Sequence, residues 1–221
     1  MANHAAEREA VVYEQYETIS QQQETYIVGM WTFVVTEIMF FGAMFLAYTL
    51  YRSQYSEVWA AMSDHLDFVL GGINTTVLLV SSFFIAMAVH KAQLGKTRAQ
   101  INYLVGTIGC AVIFLVIKYF EYSDKISHGL LPNWSYVGLP GVELGPSKIF
   151  MSLYFSMTGL HGLHVLLGIV AMVWLIILIK RKSEVITDYI PTEMFGLYWH
   201  FVDLVWIFLY PLYYLIPLGG K

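Results

Sequence analysis

Charge is scarce in this chain, and cysteine is scarcer. Only 13% of the 221 residues are Asp, Glu, Lys or Arg, about half the share usual in a soluble domain. The single cysteine, Cys110, excludes an intrachain disulfide and a thiolate metal site. No run of Lys and Arg marks a nucleic-acid surface, and the net charge is only −4, so nucleic acid drops out as a partner. The opening stretch MANHAAEREAVVYEQYETISQQQETY lacks the apolar core of a signal peptide. The His-Glu-x-x-His motif of zinc hydrolases is missing. So is a Glu-x-x-His within an apolar run, which a di-iron carboxylate site would need.

What is present is apolar length. Hydrophobic residues make up 57% of the chain. Five segments approach or exceed the ~20 apolar residues that a ~30 Å hydrocarbon core requires. They run at about 27–50, 68–90, 100–121, 149–179 and 195–217. The expected fold is therefore an all-α integral membrane bundle of five transmembrane helices. A polar N-terminal segment (1–26) precedes a single five-helix domain (27–217), and a short tail (218–221) follows. The polar segment is expected either without order or as a short helix on the membrane surface. The connection over 122–148, rich in Gly and Pro, reads as an irregular external loop lying on a neighbour.

Five spans place the termini on opposite sides of the membrane. Arg8, Lys91, Lys96, Arg98, Lys180, Arg181 and Lys182 share one side; Arg52, Lys118, Lys125, Lys148 and Lys221 share the other. The positive-inside rule then puts the N-terminus in the cytoplasm and the C-terminus outside. Tyr48, Tyr51, Trp199, Tyr213 and Tyr214 stand near span ends, where aromatic belts are expected. Lys118 and Glu121 fall near the end of the third span, where long side chains can reach the interface.

Ionisable residues inside spans need partners. Glu37, His161, His164, His200 and Asp203 are such residues, with Glu121 and His90 closer to span ends. In GLHGLHVLLG (159–168), His161 and His164 are three apart and should share one helix face. They could hold a metal, relay protons or fasten helices. Their spacing on one helix prevents them from sandwiching one haem between them. Interhelical hydrogen bonding, with Gly159, Gly162 and Gly168 admitting a close neighbour, accounts for them more simply. A charged, unpaired Asp in lipid costs roughly 2.5 to 3.5 kcal/mol on the insertion scale, so His200 and Asp203, also three apart, read as a neutral pair or a headgroup site. The small residues of GGINTTVLLVSSFF (71–84) point to close helix packing, not to a pore.

Several stretches together carry a resemblance. WTFVVTEIMFFGAMFLAY (31–48), INTTVLLVSS (73–82), Glu121-Tyr122, TGLHGLHVLLG (158–168) and YWHFVDLVWIFLYPLYY (198–214) occur in this order. In these the chain resembles subunit III of the haem–copper terminal oxidases, in a five-span bacterial form lacking two N-terminal helices of the seven-span members. The resemblance implies a non-catalytic accessory subunit in aerobic respiration, with no metal and no catalytic residue of its own. Haems and copper would lie in partner subunits I and II. The chain would pack on subunit I, retain phospholipid and sustain proton uptake by a proton-pumping oxygen reductase. The implied location is the bacterial inner membrane, and membership in a respiratory supercomplex is left open.

The family's Ser/Thr-Glu-x-x-Phe-Phe pattern falls on Thr36, Glu37, Phe40 and Phe41, and its Trp-His-Phe-x-Asp set on Trp199, His200, Phe201 and Asp203. By resemblance, Glu37, Trp31, His200 and Asp203 are lipid-binding or proton-linked. His161, His164, Asn74 and Glu121 are polar interhelical residues. Glu37 together with INTTVLL leans toward the cytochrome c branch over the quinol branch. Two rivals remain. A stand-alone proton-linked transporter would show inverted repeats or broken helices, which five spans do not offer. The accessory subunit of nitric oxide reductases shares these motifs.

Overall fold

The computed structural model describes residues 12, 14–134, 136–181 and 189–215. The 218–221 tail lies outside the described residues, as do Arg8, Lys182, Lys221 and most of 1–18. Among the described residues six helices follow in order: α1 (Ile19–Gln54), α2 (Ser56–Asp64), α3 (Phe68–Gln93), α4 (Thr97–Ser127), α5 (Leu144–Lys180) and α6 (Ile190–Tyr214). All except the short α2 are long and apolar enough to cross a membrane. The chain is thus an all-helical, multi-pass membrane protein. No strand occurs among the described residues.

α3, α4, α5 and α6 form a closed ring of neighbours, each packed on the next, with α3 and α4 in the most extensive contact. α1 touches neither α3 nor α4 and rests against α5 and α6. The molecule is therefore a four-helix bundle with a fifth span laid along one seam. α1 correspondingly keeps Val28, Trp31, Val35, Ile38 and Met39 half exposed or more. In the bundle, Leu104, Ala111, Phe114, Met157, Trp199, Trp206 and Leu209 are fully buried.

Local signals set the helix ends. Asp67 caps α3, its carboxylate accepting from the N–H of Val69 and Leu70 at 2.9 and 3.1 Å. The α3–α4 turn closes through Gly95 at φ 67°, with Lys96 N donating to Lys91 O at 2.9 Å. That left-handed conformation favours glycine. α1 begins earlier than the apolar run does. Thr18 caps it by accepting from Gln21 N at 3.2 Å, so the polar residues 19–26 extend the span instead of forming a separate helix. α2 was not legible as an element. It tucks Trp59, Met62 and Ser63 into the end of the bundle, where Trp59 meets Phe150 edge to face, centroids 5.4 Å apart.

Two further expectations change. Residues 122–127 continue α4 and 144–148 begin α5, so the irregular connection shrinks to 128–143. It lies on its own chain, with Leu130 and Tyr136 in the core. Of the aromatics expected in interfacial belts, only Tyr51 is exposed; Tyr48, Trp199, Tyr213 and Tyr214 are buried. Their polar tips find partners across helices: Trp199 Nε1 donates to Ser81 Oγ at 3.0 Å, and Tyr48 donates to the Leu212 carbonyl.

Candidate functional site

The densest polar cluster sits inside the bundle. Lys118 and Glu121, 6% and 4% exposed, do not reach the interface as their place near a span end suggested. One turn of α4 brings Lys118 Nζ to 2.9 Å from Glu121 Oε2. The same ammonium donates to Tyr154 OH of α5 at 3.1 Å and to Tyr214 OH of α6 at 3.0 Å. Both phenols donate onward to Glu121 Oε1, Tyr154 at 2.7 Å. All three protons of Lys118 are used. The cation also stands 5.2 Å from the Trp206 ring centroid, a favourable placement for a desolvated charge. Tyr122 and Thr158 bond beside this cluster. Three helices are tied at one point, and the sites of the two ions are filled by protein alone.

A second pair lies on the seam between α1 and α5. His164 Nε2 is 3.1 Å from Glu37 Oε2, with side chains 12% and 19% exposed. His164 Nδ1 is 2.8 Å from the Leu160 carbonyl. A carbonyl only accepts, so Nδ1 carries hydrogen and the tautomer is fixed. Nε2 and Oε2 then face each other with one proton between them in the neutral pair, on either atom. Tyr198 OH of α6 donates to the His164 carbonyl at 2.8 Å, and Phe41 packs edge-on to the imidazole. The contact uses one carboxylate oxygen of Glu37, Oε2, and leaves the side chain 19% exposed on the seam.

The paired histidines of the HGLH stretch part company. His164 faces α1, whereas His161 is fully buried between Phe114 and Trp206, centroids 5.4 and 5.1 Å away. Neither ring nitrogen of His161 has a hydrogen-bond partner among the described residues; it packs as an aromatic. Asn74 and Asp203 are likewise buried, with no partner for their side-chain atoms among the described residues. His200 and Asp203 do not pair with each other. His200 is exposed and its Nδ1 lies 2.7 Å from Ser82 Oγ, while Asp203 points inward at 3% exposure. The Ser82 hydroxyl lies alongside Asp203 but outside hydrogen-bond geometry, its bond going to His200.

The residues singled out from sequence therefore occupy different surfaces. Trp31 is 53% exposed and, six residues from Glu37, points about 120° away around α1. Glu37 lies on the seam, His200 on the outer face of α6, and Asp203 inside. Sequence reasoning missed Tyr154 and Tyr214 as partners of Glu121, and Tyr198 and Ser82 as partners of the histidines. The one signal for the buried cluster was the opposite charge of Lys118 and Glu121 at i,i+3. Among the described residues no three His, Cys, Asp or Glu side chains converge as a metal site would require.

A groove of about 490 Å³ lies between α1 and α6. It is lined by Thr25, Tyr26, Gly29, Met30 and Phe33 of α1 with Pro191 and Met194 of α6. Met30 and Phe33 precede Glu37 by seven and four residues, so they share its helix face.

The family model for cytochrome c oxidase subunit III matches residues 7–140 and 144–217. The chain is 33% identical over 198 residues to quinol oxidase subunit 3 of Bacillus spizizenii, covering 88% of each chain. It is 28% identical over 191 residues to cytochrome c oxidase subunit 3 of Thermostichus vulcanus, covering 86% of this chain and 87% of that one. It is 29% identical over 197 residues to the heme-copper oxidase subunit I+III of Aeropyrum pernix, but spans only 22% of that longer protein.

Proposed function

The chain belongs to the cytochrome c oxidase subunit III family and is an accessory subunit of a haem–copper oxidase; from that premise we propose how it serves the complex. It packs on subunits I and II of a bacterial inner-membrane oxidase, holds phospholipid along α1 and keeps proton uptake going over many turnovers. Subunit I and subunit II carry the haems and copper. The N-terminus faces the cytoplasm, following the basic residues at the α3–α4 turn and after α5. The Aeropyrum relative, which joins subunits I and III in one polypeptide, supports subunit I as the neighbour.

The observation that carries the reading is the Glu37–His164 pair, set on a seam and left open on one side. The interior pair has all its partners within the chain, whereas this one leaves Glu37 Oε1 for a neighbour. The groove beneath it has apolar walls and, in Thr25 and Tyr26, polar groups near the helix end. That is the layout of a phospholipid site, with acyl chain along Met30 and Phe33 and headgroup near Thr25. Cytochrome c as the electron donor rests on Glu37 and INTTVLL alone, and the relatives include subunits of both quinol and cytochrome c oxidases.

The test is Glu37→Ala in the purified oxidase. Haem spectra should be unchanged, while phospholipid retained per complex falls or the number of turnovers before inactivation shortens. Loss of a haem band would overturn the non-catalytic role. Unchanged lipid and lifetime together would remove Glu37 from it.

A further inference from the structure

α6 presents one stripe to its surroundings. His200, Leu204, Ile207 and Pro211 are exposed, and their spacing of four, three and four keeps them on one face. His200 is the polar member. It lies ten residues into the 25-residue α6, about 15 Å from the helix start. Its partner Ser82 lies midway along α3. Both are near the centre of a ~30 Å hydrocarbon core.

The imidazole spends Nδ1 on Ser82, and Nε2 has no bond among the described residues. Either tautomer leaves Nε2 as an N–H or a bare lone pair facing outward. An unsatisfied group at that depth costs several kcal/mol in lipid. Acyl chains offer no hydrogen bond, and headgroups are about 15 Å away. Of what surrounds the helix at that depth, a protein group can match it and an acyl chain cannot. Apolar grooves flank the stripe. One of about 380 Å³ runs between α1 and α6, past Gly42, Phe45 and Phe208. The other, of about 490 Å³, lies on α3 against Tyr210. A ridge between two grooves is what a neighbouring helix packs against.

We propose that the outer face of α6 around His200, between α1 and α3, is where a transmembrane helix of the haem-carrying large subunit docks, with His200 as the polar anchor. The docking helix supplies a hydrogen-bonding group at mid-depth and fills the flanking grooves with apolar side chains. This rests on the reading that the chain is an accessory subunit seated on subunit I.

The test uses membranes holding the whole oxidase. A photoreactive benzoylphenylalanine replaces either Leu204 on the stripe or Trp174, 65% exposed on α5. After illumination, captured peptides are identified by mass spectrometry. The Leu204 site should capture the large haem subunit and the Trp174 site should not. In parallel, His200→Leu should lower the amount of this chain kept with haem protein through a detergent wash about tenfold, a loss of about 1.4 kcal/mol. His200→Gln, which still bonds on both sides, should retain it. Capture of the large subunit from Trp174 alone, or capture of a second copy of this chain from Leu204, would overturn the docking face and leave the accessory role intact. So would co-purification with haem but no capture at either position. Failure of the unmodified chain to co-purify with any haem protein would instead overturn the accessory reading, and this proposal with it.

Discussion

The two intramembrane acid–base pairs are solved in opposite ways. Glu121 and Lys118 are saturated from within. Tyr154 and Tyr214 bridge cation to anion, and helices α4, α5 and α6 close around them. Glu37 and His164 lie where α1 leans on the bundle, joined through one oxygen and one nitrogen, with the rest of the carboxyl open at 19% exposure. A charge pair whose partners all come from one chain holds that chain's own fold together. A pair left with one spare valence can respond to a lipid, a neighbour or a proton. Burial alone does not separate the two cases; the tally of filled hydrogen-bond positions does.

The comparison breaks most readily at Lys118. Lys118→Ala strands Glu121 with only two phenols, and removing one partner of a buried ion pair costs ~3–5 kcal/mol. The chain should show that loss in an SDS unfolding titration in mild detergent. Lys118→Met combined with Glu121→Gln should recover much of it, because the uncompensated charge is gone. If Lys118→Ala costs under about 1 kcal/mol, in the range of an exposed pair, the interior pair is not the keystone described.

Packing offers the next sharpest contrast. A Cβ built on Gly168 of α5 would sit 2.6 Å from Trp199 Cζ3, whereas one on Gly42 of α1 meets nothing within 4 Å. Gly168→Ala must push α5 from α6 and should cost ~1–3 kcal/mol. Gly42→Ala should leave the isolated chain unchanged or more stable by up to ~1 kcal/mol, from helix propensity. Equal penalties at the two sites would mean that α1 is packed as tightly as the bundle.

How much of this could be read from the residues follows the same division. The five spans were legible because ~20 apolar residues are needed wherever a helix crosses lipid, and their cores fell where the helices are. Their ends were not. Residues 19–26 are polar, yet the Thr18 cap and good helix formers carry α1 through them. α2 escaped notice because nine residues with one buried stripe leave little periodic signal. Lys118 was misread because proximity to a span end argues for snorkelling only when no acid and phenols wait inside. Spacing joined His161 to His164 and His200 to Asp203, but residues three apart still differ by about 60° around a helix. At a seam that angle is enough to send one inward and the other out. The partnership of Glu37 with His164, separated by 127 residues, has no local signature at all.

Glu37→Gln sharpens the contrast from the other side. The Gln amide can donate to His164 Nε2, so the seam keeps its hydrogen bond and loses only the shared proton. Chain stability should stay within ~1 kcal/mol of the parent, with phospholipid retention or turnover lifetime as the quantity that moves. A penalty as large as that of Lys118→Ala would make the seam pair a structural one.

The smallest effect is expected at Tyr198→Phe. Its hydroxyl donates to the His164 carbonyl at 2.8 Å, which helps set how far α5 turns its imidazole toward α1. Removal leaves the carbonyl its place in the helix ladder, so no buried acceptor is orphaned and the cost should be about 0.5–1 kcal/mol. The ring also packs on Phe33, centroids 6.0 Å apart, and phenylalanine preserves that contact. Positioning and stability then come apart. If the hydroxyl holds His164 in register for Glu37, Tyr198→Phe combined with Glu37→Ala, which removes the seam bond that Gln keeps, should destabilise by less than the sum of the two single changes. Fully additive losses would show that Tyr198 braces α6 on α5 without regard to the Glu37 pair.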